Sequence, residues 1–155
     1  MPTTLLHEIR QTRPFKSLEE EALLSVERTA AVLLHRISDT FKAYDITATQ
    51  YNVLRILRGA GTAGLSRNDI RDRLVAQVPD VTRLLDRLEV AHLVERERST
   101  SDRRIVTTRI TQHGLELLRQ LDTPVADSHR KQLGHMKGTQ LQALIDLLAL
   151  ARSEP

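Results

Sequence analysis

Seven arginines fall between positions 83 and 109: Arg83, Arg87, Arg96, Arg98, Arg103, Arg104 and Arg109. A guanidinium can donate two parallel hydrogen bonds to guanine O6 and N7, grip phosphate, or lodge in the negative potential of a narrow minor groove. Segment 81–90 is spaced for the first of these tasks. Val81, Leu84, Leu85 and Leu88 recur at i, i+3, i+4 and i+7, which predicts a helix that buries one face and turns Thr82, Arg83, Asp86 and Arg87 outward. Side chains near the N-terminal end of such a helix reach base edges in the major groove. Arg83 is therefore the expected base reader, with Thr82 and Arg87 against the backbone of that groove. Asp80 is a favoured N-cap type, and the competing use of its carboxylate is to accept from a cytosine amine. Asp86 is expected to pair with a nearby arginine, because a bare carboxylate beside phosphate is repulsive.

A second cluster, Asp102, Arg103 and Arg104, follows within twenty residues. Taken alone it reads equally well as a solvated surface group of little energetic weight. Ser66, Arg67 and Asn68, ahead of both, are further candidates for phosphate, with helix capping as their structural alternative.

These residues need a helix-turn-helix and a hairpin to hold them. Ser66 and Asp69 have the spacing of a capping box for a short helix carrying Ile70 and Leu74, and Val75 to Val78 form the turn into the next helix. After Leu93 the apolar period changes from helical to alternating. Ile105, Thr107 and Arg109 fall on one strand face and Val106, Thr108 and Ile110 on the other, with Ser99 to Arg104 as the hairpin tip.

The stretches Thr82–Glu89 and Asp102–Arg104 resemble the MarR family of winged-helix regulators, whose signature couples a TRLLDRLE-like recognition helix to a wing ending in Asp-Arg-Arg. Thr47 to Leu54 resembles the family's TxxQYxVL helix start, and Thr111 to Gly114 its TxxG opening of the next helix. His92 departs from the pattern, standing where the family usually closes the recognition helix with glycine. The resemblance implies a cytoplasmic homodimer that binds double-stranded DNA. It makes Arg104 the residue inserted into the minor groove, with Asp102 holding its guanidinium and Arg103 on phosphate. It further implies a repressor released from a pseudo-palindromic operator by a small, often aromatic or phenolic, effector between the helical and winged-helix regions. His35 and Tyr51 are the candidate polar contacts for that effector; the alternative is an exposed histidine and a core tyrosine. An extra N-terminal arm is similar to that of the urate-responsive branch, but the chain has no Trp on which that branch relies.

The fold class expected is mainly α (α+β): a winged helix-turn-helix over 47–112, with dimerisation helices over 1–46 and 113–155. A chain of 155 residues with 3% aromatics must build its core from aliphatic side chains, which suits packed helices. A short helix is expected over 3–11, interrupted at Arg13-Pro14. Ser17 and Glu20 should cap a long helix running to about Tyr44, striped by Ala22, Val26, Ala30, Leu33, Ile37 and Phe41. That stripe exceeds what a small domain needs, which implies a partner helix. Gly59 to Gly64 reads as a flexible connection. Beyond Gly114, Leu115, Leu118, Leu121 and Val125 continue a helical stripe that Pro124 should kink or break. Leu141, Leu144, Ile145, Leu147, Leu148 and Leu150 spread over more than one face of a last helix, which suits a dimer contact.

The absence of cysteine rules out thiol-based sensing and thiolate metal sites. No run approaches the roughly 20 apolar residues of a membrane span, and the N-terminus lacks a signal-peptide pattern. Net charge is only +3, so its distribution matters more than its size: residues 18–27 carry four glutamates and no basic residue, opposite in character to 83–109. No GxSxG, P-loop, GxGxxG or HExxH motif is present, and His129 and His135 are six apart, off a common helical face. No enzyme, metal or cofactor is expected. The reading from another class is a helical dimeric adaptor that binds protein without specific DNA binding.

Overall fold

The computed structural model describes residues 4–153. In chain order the elements are α1 (Leu5–Glu8), α2 (Leu18–Lys42), α3 (Ala48–Ala60), a 3-10 turn (Gly61–Ala63), β1 (Leu65–Ser66), α4 (Arg67–Arg73), α5 (Val81–Val90), β2 (Val94–Arg98), β3 (Val106–Ile110), α6 (Gln112–Leu133) and α7 (Gly138–Arg152). The chain divides into two compact units between Ile37 and Ser38.

In the first unit α1 is a single turn rather than a helix over 3–11, and residue 3 lies outside the described residues. Thr4 makes no side-chain cap bond, and Arg10 takes a left-handed φ of 53° that ends the turn before Pro14 is reached. Ser17 Oγ accepts from Glu20 N at 3.2 Å to start α2, while the Glu20 carboxylate accepts from Lys16 N at 2.6 Å.

The second unit holds the core. Capping boxes at Thr47/Gln50 and Ser66/Asp69 fix the starts of α3 and α4 as their spacing predicts. Leu54, Leu57, Ile70, Leu85, Leu88, Leu118 and Leu121 are fully buried, and each is worth roughly 1.5–3 kcal/mol against exposure. They come from α3, α4, α5 and α6, so those four helices share one core. Leu74 sits outside it: as the C-cap of α4 it leaves the helix with ψ 136°.

Three features depart from the expectations. β1 pairs with β3 to give an antiparallel sheet ordered β1-β3-β2, with Leu65 opposite Thr108 and Ser66 opposite Thr107. Residues 59–64 are ordered as the end of α3, a 3-10 turn and Gly64. There φ is +67°, and an added Cβ would lie 2.6 Å from the Thr108 carbonyl oxygen, so only glycine lets this segment lie against β3. Finally, α6 runs unbroken through Pro124. The proline removes one backbone donor, but Leu121 and Val125 on either side are buried and keep the helix continuous.

Candidate nucleic-acid interface

Both ends of α5 are fixed by its own sequence. Asp80 Oδ1 accepts from Arg83 N at 2.9 Å, so Asp80 serves as the N-cap and one of its oxygens is committed to the helix. At the other end Leu93 N donates to Leu88 O at 3.0 Å and His92 N to Glu89 O at 2.9 Å, the paired bonds of a Schellman motif. His92 occupies its left-handed position with φ 57°. The turn therefore forms without glycine, at the strain that a β-carbon carries there. Between these ends Val81, Leu85 and Leu88 are buried, Leu84 is half-buried, and Thr82, Arg83 and Arg87 are exposed.

Ser66, Arg67 and Asn68 lie at the start of α4. Ser66 Oγ accepts from Asp69 N and donates to its carboxylate at 2.6 Å. These contacts hold the Asp69 carboxyl below its usual range, chiefly through the Ser66 hydroxyl. Arg67 Nη1 donates to Thr82 Oγ1 at 3.3 Å, tying the openings of α4 and α5 together. Asn52 Oδ1 accepts from Val75 N at 2.9 Å and pins the turn from the side of α3.

The wing tip is ordered by short polar contacts. Ser99 Oγ accepts from the amides of Ser101 and Asp102, and the main chain closes through Ser99 N to Ile105 O at 2.9 Å. Ile105 falls ahead of β3 and is half exposed. Asp102 Oδ1 accepts from Arg104 N at 3.0 Å and stands 3.6 Å from Arg104 Nε. The Arg104 side chain is nevertheless 95% exposed, so Asp102 fixes its base and leaves its end in solvent. Arg103 is exposed beside it.

Apart from Arg104, held at its base by Asp102, the arginines of 83–109 separate into two kinds. Arg96 donates from Nη2 to Asp86 Oδ1 at 2.6 Å and from Nε to Glu89 Oε2 at 3.0 Å. Arg109 donates to Glu97 and to the Thr62 carbonyl, both at 2.8 Å. These two brace the ribbon, Arg96 against α5 and Arg109 against the 3-10 turn. Asp86 thus has the arginine partner expected of it. Arg83, Arg87, Arg98 and Arg103 form no ion pair among the described residues. The bracing role of Arg96 and Arg109 was not separable in sequence, because it depends on the register that sets Arg96 opposite Thr108 and Glu97 opposite Thr107.

Helix and wing front a common opening. A cleft of about 430 Å³ is lined by Ser66, Arg67 and Asn68 of the β1–α4 corner, Thr82 and Leu85 of α5, and Arg96 and Arg104 of the ribbon, among others. The candidate phosphate contacts and the wing arginine therefore border one basic concavity.

Of the two candidate effector contacts, Tyr51 is buried. Its ring packs on Phe41 with centroids 4.9 Å apart, and Arg55 donates to its hydroxyl at 3.4 Å. That is the environment of a core tyrosine. His35 is exposed on α2.

The sequence model of the MarR family matches residues 46–106. The chain is 34% identical over 113 residues to the HTH-type transcriptional regulator YfiV of Bacillus subtilis, covering 67% of this chain and 69% of that one. Among solved structures, a MarR transcription factor from Planctomyces limnophilus is 40% identical with a TM-score of 0.69, over 88% of this chain and 99% of that one. A mutant MarR of E. coli complexed with operator DNA superposes with a TM-score of 0.76 at 24% identity, over 97% and 100% of the two chains.

Proposed function

Because this chain belongs to the MarR family, and is a DNA-binding transcriptional regulator of winged helix-turn-helix fold rather than an enzyme, we propose that it acts as a homodimeric repressor on a pseudo-palindromic operator. Arg83 reads a base in the major groove, Thr82 and Arg87 hold its backbone, and Ser66, Arg67 and Asn68 hold phosphates at the start of α4. Asp80 positions Arg83 by capping α5. Arg104 enters the minor groove with Asp102 at its base, and Arg103 takes the adjacent phosphate.

One observation carries this reading. Arg83 and Arg87 are unpaired, Arg104 reaches 95% exposure, and Thr82 and Arg104 border the same cleft, while Arg96 and Arg109 are engaged by Asp86, Glu89 and Glu97. Phosphate contacts set register and base contacts set sequence, and this division supplies both.

Residues 1–46 and 113–155 are proposed to supply the dimer contact. In support, α7 has no buried residue, and Ile145, Leu147 and Leu150 are 58%, 64% and 69% exposed. Two recognition helices related by a two-fold axis would meet half-sites about 10 bp apart. A small, aromatic or phenolic effector, released or bound within that dimer, would set occupancy. His35→Ala and Tyr51→Phe test that part through the ligand concentration that releases DNA.

The test of the reading is Arg83→Ala on a duplex selected by the wild-type protein. Affinity should fall by about 1–3 kcal/mol and selectivity should relax at one base pair per half-site. Equal loss on every sequence would make Arg83 a phosphate contact instead.

A further inference from the structure

The recognition helix has no net charge of its own. Arg83 and Arg87 are offset by Asp86 and Glu89, so α5 alone offers phosphate little attraction. Thr82, Asp86 and Glu89 lie at i, i+4 and i+7, on one flank of the helix, and that flank faces the cleft through Thr82. Arg96 comes to the two carboxylates from β2. Its side chain is only 23% exposed, while those of Asp86 and Glu89 are 52% and 41% exposed. It is therefore poorly placed to present its own charge to a duplex.

We propose that Arg96 is a positioning residue for DNA binding: its guanidinium, forked between Asp86 and Glu89, offsets half of their charge and leaves α5 with its bracing arginine net positive, so that Arg83 meets its base and Arg87 its phosphate with less opposition. A helix is about 10–12 Å across, and charges in water act over roughly 10 Å at 0.1 M salt. Two bare carboxylates on this flank would repel the phosphates that Thr82 and, on the adjacent flank, Arg87 must hold. The same fork keeps Glu89 ionised, its carboxyl held below the usual range chiefly by the Arg96 hydrogen bond. The offset thus persists wherever the protein is folded near neutral pH. The proposal rests on α5 entering the groove.

A bracing role alone and an offsetting role part company in a neutralised background. The experiment compares wild type, Arg96→Met, Asp86→Asn with Glu89→Gln, and the triple variant. Each is titrated as the full chain against one wild-type-selected duplex between about 50 and 200 mM salt. Arg96→Met should weaken binding about tenfold or more at the low-salt end. The triple variant should return to within about threefold of wild type, since no carboxylate is left to offset. The doubly neutralised variant, with no carboxylate left to oppose the arginines, should bind more tightly than wild type, most at the low-salt end.

A triple variant as weak as Arg96→Met would overturn the proposal and leave Arg96 a brace. So would an unchanged low-salt affinity in the doubly neutralised variant, which decides the matter alone if Arg96→Met fails to fold. A wild-type protein that binds no duplex at all would instead refute the DNA reading of α5, and the proposal with it.

Discussion

The winged helix and the last helix of the chain are made from similar aliphatic residues and end in opposite states. Around α5, Val81, Leu85 and Leu88 are buried against partners from the same chain, and the Asp80 side chain and a main-chain turn close the two helix ends. Along α7 no residue is buried, and Ile145, Leu147 and Leu150 stand in solvent. The first region is complete as one chain. The second presents an apolar surface that a single chain does not cover, which isolated soluble helices rarely tolerate. The difference shows how the molecule divides its labour: rigidity where a groove must be read, and unsatisfied apolar area where a second subunit is proposed to dock.

That contrast can be broken from the core side first. Leu88→Ala should destabilise the fold by about 2–5 kcal/mol in urea denaturation, since it opens a cavity at a fully buried position. A loss below 1 kcal/mol would mean that the core around α5 collapses easily and is not the rigid part. Next, Leu147→Glu with Leu150→Glu should weaken self-association by about 2 kcal/mol or more, seen as a shift from dimer to monomer mass in sedimentation, with helix content retained. Loss of the fold itself would show that α7 is covered within one chain. Third, Asp80→Ala should lower stability by about 1 kcal/mol through loss of the N-cap and leave the dimer mass untouched.

The smallest effect concerns acid. Glu89 has its carboxyl lowered from an ordinary value of 4.5 by Arg96. A depressed value means that the folded state binds this proton less readily than the unfolded state. The contribution is fully present above the unfolded value and is lost as pH falls through the folded one. The thermal midpoint of wild type should therefore exceed that of Arg96→Met at pH 7, and the gap should narrow below about pH 4.5. A gap that stays constant down to pH 3 would show that the fork contributes packing rather than charge.

Much of the DNA-facing region was legible in the sequence because its signals are local. The i, i+3, i+4, i+7 stripe of α5, the capping boxes at Thr47 and Ser66, and the alternation of 105–110 each sit within a few residues. What escaped depends on distant partners. β1 is two residues long, too short to show a period, and exists only because β3 lies beside it. The bracing arginines look like the unpaired ones until the register of the ribbon is known: Arg96 meets Asp86 across ten positions and Arg109 meets Thr62 across forty-seven. Of the kink or break expected at Pro124, the break does not occur, since the buried neighbours on both sides keep the helix whole. For Tyr51 both readings were legible, an effector contact or a core tyrosine, and the packing on Phe41 and Arg55 that favours the second is visible only in the fold.

The most direct measurement is selection of duplexes from a random pool by the purified full chain at near-physiological salt, with its mass determined in the same buffer. The account predicts a dimer that enriches a pseudo-palindrome with half-sites about 10 bp apart. A stable dimer that enriches no sequence would contradict it.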